Sequence, residues 1–272
     1  MIGFADEKAL PGLYKIWQEC FGDDKEYIDT FLECFDLKST VRMLYEQSKG
    51  PVSMLSVLPA FFEWNGEIKK AAYLYGVATA KQYQGQGYGG RLLWNTVAAL
   101  EGECEMIFLS PAQEALGGFY EKNGFRQVSR RKEWSLSRYG QIVPRVTAQA
   151  VCTDIAPEEY EVLRNRAFGG SNYLRWPLQT LVYAQRENAC FGGKMQKVSC
   201  EGREYGVLYR RAGQKLHILE ITEPDEEQAK HAALALMHSM KHVQTVCITR
   251  SMTAMAVCGA EYEALQMNLT MG

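Results

Sequence analysis

The stretch Gln84-Gly85-Gln86-Gly87-Tyr88-Gly89-Gly90 is the part of the chain whose residue types and spacing point most directly to chemistry. Glycine lets a backbone curl into conformations closed to other residues and approach a ligand with no Cβ in between. Successive N–H groups of such a loop can converge on one anion, and the helix that reads on from Arg91-Leu92-Leu93 adds the partial positive charge of its N-terminus. A diphosphate is the natural ligand. Context argues against two nucleotide versions of this loop. A Walker A loop closes with Gly-Lys-Ser/Thr, whereas Gly90 is followed by Arg91-Leu92. A dinucleotide fingerprint needs an N-terminal βαβ unit whose second strand ends in an acidic residue, whereas this loop follows a hairpin and the next strand ends at Leu109-Ser110. A tight structural turn without a ligand is the alternative that the bare pattern leaves open.

A second motif follows in FLSPAQEALGGFYEKNGF, where a short strand leads into a helix ending in Phe119-Tyr120-Glu121 with Gly124-Phe125 after it. The first motif, through Gln84, Gly87 and Gly89, resembles the acetyl-CoA-binding Gln/Arg-x-x-Gly-x-Gly/Ala signature of the GCN5-related N-acetyltransferase (GNAT) superfamily. The second is similar to that family's other hallmark, and Gly76-Val77-Ala78-Thr79 looks like the end of its central strand. The resemblance implies a donor, acetyl-CoA, and an acceptor, a primary amine of a small molecule or peptide, that attacks the thioester directly. It implies that backbone groups of Val77, Ala78 and Thr79 pair with the pantetheine arm, that N–H groups from Gly85, Gln86, Gly87, Tyr88, Gly89 and Gly90 hold the diphosphate, and that the Val77 N–H receives the developing oxyanion. Tyr120 matches the general acid, with packing in its helix as the other role open to it. Ser110 is expected either to orient a relay or the cofactor, or to cap the following helix. Glu63, Tyr73 and Tyr75 are candidates for the base, and none is preferred. A non-catalytic acyl-CoA-binding regulatory or structural protein is the alternative function.

These motifs need a sheet to hold them, and the apolar periodicity supplies one. Helices are expected over 7–20 and 24–35, strands over 41–46, 52–62 and 68–79 with a hairpin turn at Asn65-Gly66, a helix out of the glycine loop, a strand at 106–109, a helix at 112–122 and a strand at 125–128. Residues 1–136 thus read as one α+β unit, a mixed twisted sheet flanked by helices, and the close resemblance spans this part. After a linker or shared edge segment at 137–156 that contains Gly140 and Pro144, the order begins again over 157–272: helices at 157–168 and 173–187, strands at 190–199, 204–210 and 215–221, a helix at 225–241 and a strand at 243–249. The text echoes too, Cys20-Phe21-Gly22 against Ala167-Phe168-Gly169, so the fold is expected to be duplicated. In the second copy Glu223-Pro224-Asp225-Glu226-Glu227 stands where the first has its glycines, which caps a helix and repels a diphosphate. Any single cofactor site is therefore expected in the first copy.

Composition narrows the class. With 272 residues, 47% hydrophobic and 23% charged, the chain can build two cores, and a formal net charge of -2 provides no overall field for nucleic acid or an anionic membrane. The N-terminal residues lack the basic-then-apolar pattern of a secretory signal and no apolar run reaches 18 residues, so a cytoplasmic protein, monomer or homodimer, with no membrane or nucleic-acid partner, is expected. The cysteines Cys20, Cys34, Cys104, Cys152, Cys190, Cys200, Cys247 and Cys258 form no CxxC pair and read as reduced thiols. His231, His238 and His242 share one expected helix face opposite Ala229, Ala233, Leu236, Met237 and Met240, with no further ligand pattern, so no metal is expected. Lys122, Arg126, Arg130, Arg131, Lys132, Arg138 and Arg145 read as a solvated basic face, one or two of which could meet a phosphate. The aromatics Phe61, Phe62, Trp64, Tyr173, Trp176 and Tyr183 read as packing, or as the lining of an acceptor pocket.

Overall fold

The computed structural model describes residues 1–138, 150–258, 262, 265–267 and 269. Gly140, Pro144 and Arg145, singled out above, lie outside the described residues. The chain forms two compact units. The first comprises Met1–Phe62, Ile68–Val128 and a strand at Ala254–Cys258; the second comprises Glu63–Glu67 and the described residues of 129–252 and 264–272.

In the first unit, β1 (Ile2–Phe4) precedes α1 (Leu10–Phe21), α2 (Lys25–Cys34) and the short α3 (Leu37–Thr40), then β2 (Val41–Glu46), β3 (Gly50–Trp64) and β4 (Glu67–Thr79). Then come α4 (Tyr88–Leu100), β5 (Met106–Leu109), α5 (Gly117–Lys122) and β6 (Arg126–Ser129). Local chemistry sets several of these bounds. Pro11 sits in the first turn of α1, where its missing N–H costs nothing, and Gly22 ends that helix in the left-handed region at φ 80°. The Asp24 carboxylate accepts from Tyr27 N–H and starts α2. Asn65 and Gly66, both at positive φ, make the hairpin between β3 and β4. The expected helix at 112–122 starts late: a 3-10 turn at Glu114–Leu116 takes its first part, and α5 begins only at Gly117.

The second unit holds β7 (Lys132–Ser137), β8 (Val151–Asp154), α6 (Pro157–Phe168), β9 (Tyr173–Arg175), α7 (Leu178–Cys190), β10 (Lys194–Cys200) and β11 (Arg203–Ala212). It continues with β12 (Lys215–Ile221), α8 (Glu226–Ser239) and β13 (Thr245–Ser251), after which β14 (Ala254–Cys258) joins the first unit. The helix expected over 173–187 is a strand followed by a helix, because Pro177 disfavours helical geometry at Trp176 and can itself stand only at a helix start.

Both sheets are mixed. The first runs β1-β2-β3-β4-β5-β14-β6 and the second β7-β13-β12-β11-β10-β8. Each contains a parallel pair joined through a crossover helix, β4-α4-β5 in the first and β12-α8-β13 in the second, among antiparallel neighbours. The fold is therefore duplicated at the level of its sheets. Leu92, Leu93 and Val97 of α4 pack with Leu74, Ile107, Leu109, Tyr120 and Phe125 in the first core, and each fully buried leucine contributes about 2–3 kcal/mol. Ala229, Ala233, Leu236 and Met237 of α8 are buried in the second core. No helix among the described residues is long and apolar enough to cross a membrane.

Arg138 departs from its expected place on a solvated basic face. Its guanidinium donates to the carbonyls of Met237 (2.7 Å), Met240 (2.8 Å) and Val243 (2.8 Å) at the end of α8, a cation at the negative pole of a helix. Arg138→Met should lower stability by about 1–2 kcal/mol, read from the denaturant midpoint. An unchanged midpoint would mean that water serves those carbonyls equally well.

Candidate functional site

The site begins where a strand outruns its neighbour. Parallel pairing of β4 with β5 covers Ala71–Tyr73 against Met106–Phe108, and β4 then runs on to Thr79. Gly76 interrupts this extension at φ 61°, and a left-handed residue inside a strand re-aims the groups after it. The Ala78 carbonyl accepts from Ser53 Oγ (2.8 Å) and the Ala80 N–H donates to the Val52 carbonyl (3.0 Å), so both face β3. Backbone groups alternate sides along a strand. Val77 and Thr79 therefore present theirs to the opposite edge, where the pairing with β5 has stopped.

The glycine loop lies beyond this edge, and its glycines serve two different purposes. Gly85 (φ 74°) and Gly87 (φ 81°) hold left-handed conformations with open space where a Cβ would be, the backbone pattern of an anion-binding nest. Gly87 is also the residue from which α4 starts, and the first turn of α4 carries no acidic side chain. Gly89 and Gly90 instead allow close packing: a Cβ on Gly89 would meet Thr79 Oγ1 at 3.0 Å and one on Gly90 would meet Asn123 Oδ1 at 3.1 Å. Thr79 Oγ1 in turn is hydrogen-bonded to Ser53 Oγ (3.0 Å). Gly89→Ala should therefore displace the Thr79 hydroxyl and cost about 1 kcal/mol, one hydrogen bond, in chemical denaturation; an unaltered midpoint would show that Thr79 rotates freely out of the way.

Strand edge and loop border one cleft of about 610 Å³, a volume typical of small-molecule sites. Val77, Ala78, Thr79, Gln84, Gly85, Gly87, Tyr88, Gly89, Gly90 and Tyr120, all named from sequence, line it. Cys20, Phe21, Tyr83, Ala112, Gln113, Leu116 and Phe119 line it as well; Phe119 belongs to the second motif and Cys20 and Phe21 to the internal echo, but none of the seven was expected in the site. The Phe119 and Tyr120 rings pack edge to face, as do those of Tyr120 and Phe125. Burial pushes the Tyr120 hydroxyl up to about 12, so it is protonated at neutral pH. The Cys20 thiol donates to the Thr79 carbonyl (3.3 Å) and is held above the usual thiol range, chiefly by burial. At the outer end Lys49 donates to Tyr88 Oη (2.9 Å) and stands over the rings of Tyr83 and Tyr88.

Other expected site residues are not brought to the cleft. Gln86 turns its side-chain amide to the Gln82 carbonyl (3.1 Å), and Ser110 neither lines the cleft nor caps α5, whose start has no side-chain cap. The three candidate bases are all elsewhere. Glu63 accepts from Gly170 N–H (2.9 Å), Tyr73 is buried against Phe108, and Tyr75 shares a hydrogen bond with Tyr27 (3.0 Å) in a buried aromatic cluster with Trp17 and Phe31. Alternation along β3 and β4 placed these residues on the right strands without saying which face each would take.

Comparison with known proteins bears on the same stretch. Residues 40–127, from β2 into β6, match the family model described as Acetyltransferase (GNAT) domain. This stretch is similar to the domain that the model describes. No curated protein matches the sequence. Among solved structures, the GCN5-related N-acetyltransferase from Anabaena variabilis aligns with a TM-score of 0.75 at 16% identity, covering 94% of this chain and 72% of that one. A conserved protein from Enterococcus faecalis aligns at 0.74 and 16%, covering 94% and 71%. The GCN5-related N-acetyltransferase from Kribbella flavida aligns at 0.71 and 15%, again covering 94% and 71%. At such identities these likenesses speak to the fold.

The matched stretch contains the whole of the glycine loop, and the corresponding turn of the second unit is built differently. There the Asp225 carboxylate accepts from Gln228 N–H (2.9 Å) and caps α8, whose first turn carries Glu226 and Glu227. Arg250, from β13, donates to the carbonyls of Glu223 (2.7 Å) and Pro224 (2.9 Å) and ties that turn to its own sheet. His231 and His238 lie on α8, but His242 falls beyond its end, so the expected three-histidine face does not form. No group of three or more metal-ligating side chains suited to an ion occurs among the described residues. In the basic stretch Arg131 pairs with Glu133 and Lys132 with Glu226. Phe62 packs against Tyr262, and Tyr173, Trp176 and Tyr183 are buried, which assigns these aromatics to packing.

Proposed function

We propose that this chain is an acetyl-CoA-dependent N-acetyltransferase whose site is the cleft of the first unit, with a primary amine of a small molecule or peptide as acceptor. The observation that carries this reading is the meeting of an unpartnered strand edge with a glycine nest in one cleft. An extended chain bearing amides adds to a strand edge by backbone hydrogen bonds, and a diphosphate suits N–H groups at a helix start. Acetyl-CoA has both parts in one molecule. Val77 offers its carbonyl and Thr79 its N–H, the Thr79 carbonyl being taken by Gln84 and Cys20, and Ala78 offers only its surface, since its carbonyl is taken by Ser53. Gly85, Gly87 and the first turn of α4 cradle the diphosphate.

For the chemistry, Val77 N–H stabilises the oxyanion that forms as the amine attacks, and Tyr120, held protonated by its burial, donates to the departing sulfur. Full transfer from a hydroxyl near 12 is uphill, so Tyr120 acts through a hydrogen bond that strengthens as negative charge gathers on the sulfur, and the thiolate takes up, through water, the proton that the attacking nitrogen sheds. Among the described residues lining the cleft none is a carboxylate or an imidazole. That observation favours a second reading, an acyl-CoA-binding protein without turnover.

Titration of acetyl-CoA by calorimetry, followed by thiol release across a panel of amines, separates the readings. Saturable one-to-one binding with amine-dependent release supports the enzyme. Binding without release under any amine supports the second reading, and no binding by folded protein removes both.

A further inference from the structure

We propose that Gln84 is a positioning residue that fixes the spacing between the strand edge and the diphosphate nest, and that its side chain does not hold the diphosphate. This rests on the cofactor reading above. The Gln84 side-chain amide donates through Nε2 to the Thr79 carbonyl at 3.0 Å, and the Cys20 thiol donates to the same oxygen at 3.3 Å. A carbonyl has two lone pairs, and both are then used. The amide therefore points back at the strand, away from the nest that begins at the next residue.

The intervening residues are short and internally bonded. Lys81–Tyr83 form a 3-10 turn, with Tyr83 N–H donating to the Ala80 carbonyl (2.8 Å). Gln84 closes this turn onto the last residue of β4, immediately before the turn begins, so Gly85 and Gly87 leave from a point pinned to the end of that strand. On the other side of the nest, Gly89 packs against Thr79 Oγ1. Thr79 is thus held through its carbonyl by Gln84 and through its hydroxyl by Ser53, with the nest anchored on both flanks. The same contacts occupy the Thr79 carbonyl, which leaves the Val77 carbonyl and Thr79 N–H as the ladder groups for an incoming amide chain, with Val77 N–H facing the thioester oxygen.

A ligand that joins a diphosphate to an extended amide chain gains from the linkage only when the two subsites are spaced to its length. Loosening that spacing should weaken the linked ligand and leave a ligand that uses the nest alone unaffected. The test is titration of acetyl-CoA and of ADP into wild type, Gln84→Met and Gln84→Ala, with thermal unfolding as the check on folding. Met keeps the length of the side chain and removes the donor. The expected result is acetyl-CoA affinity about tenfold lower in both variants, as for one lost hydrogen bond in its upper range, with ADP affinity unchanged. Equal losses for ADP and acetyl-CoA would mean that Gln84 touches the phosphates, and unchanged affinities for both would mean that it sets nothing; either overturns the proposal. If wild type binds neither ligand, the cofactor reading falls and this proposal with it, a result distinct from any difference between variants.

Discussion

Gly87→Glu should raise the dissociation constant for acetyl-CoA at least a hundredfold while the protein still unfolds cooperatively. Two effects add at this position. Gly87 sits at φ 81°, where a side chain costs on the order of 1–2 kcal/mol. The new carboxylate stands at the mouth of the nest, and a like charge about 5 Å away in a medium of effective dielectric near 20 repels by about 3 kcal/mol, which alone exceeds a factor of 100. The second effect is screened by salt because the loop is exposed, so the loss should shrink as ionic strength rises. Two further substitutions separate the causes. Gly87→Asn tolerates the left-handed conformation and adds no charge, so it should bind within a few-fold of wild type; Gly87→Ala carries the strain alone and should fall between. The measurement is calorimetric titration beside a denaturation curve. A folded Gly87→Glu protein that binds acetyl-CoA as wild type does would remove the diphosphate from this loop.

How much of this site could be read from sequence depends on what kind of fact each residue embodies. The glycines and their neighbours were legible because their reason is local: a strand, then residues that permit left-handed turns, then a helix. The strands 41–46, 106–109 and 215–221 and the helix at 157–168 were legible for the same reason, since apolar spacing over a few residues decides them. Residues whose role comes from distant parts of the chain were not. Cys20 and Phe21, at the end of α1, line the cleft because of how that helix lies against β4, and nothing near them in sequence signals it. Glu63, Tyr73 and Tyr75 had suitable chemistry on suitable strands, yet a strand has two faces, and packing with Phe108, Tyr27 and Phe31 chose the buried one for both tyrosines. Strand order was hidden too. β14 lies between β5 and β6 although its sequence follows the second unit, and β7 pairs with β13 although its sequence follows the first. Long-range pairing of this sort leaves no local trace, so a chain read as two contiguous halves gives no hint of the exchange.

Tyr120→Phe should lower turnover roughly a hundredfold or more, within the range of a lost general acid, with acetyl-CoA affinity and stability unchanged. Ring and hydroxyl have separate parts. The ring is buried, stacked edge to face on Phe119 and Phe125 within the first core, and phenylalanine keeps all of that. The hydroxyl alone is removed, and in the proposed role it acts only as negative charge gathers on sulfur, an interaction made in the transition state and absent from the ground state. Such a loss appears in kcat and kcat/KM together, with the acetyl-CoA dissociation constant left where it was. The pH profile gives a second check. Burial holds the hydroxyl near 12, so its proton stays in place through the working range and is lost only as pH rises through that value. Tyr120 therefore contributes no falling limb to the rate below about pH 11, and any fall near pH 9 belongs to another group and should persist in the phenylalanine variant. Undiminished turnover in Tyr120→Phe would leave the residue as core packing and move the donor to water or to a group outside the cleft lining. A parallel fall in acetyl-CoA affinity would instead make the hydroxyl part of the binding site in the ground state.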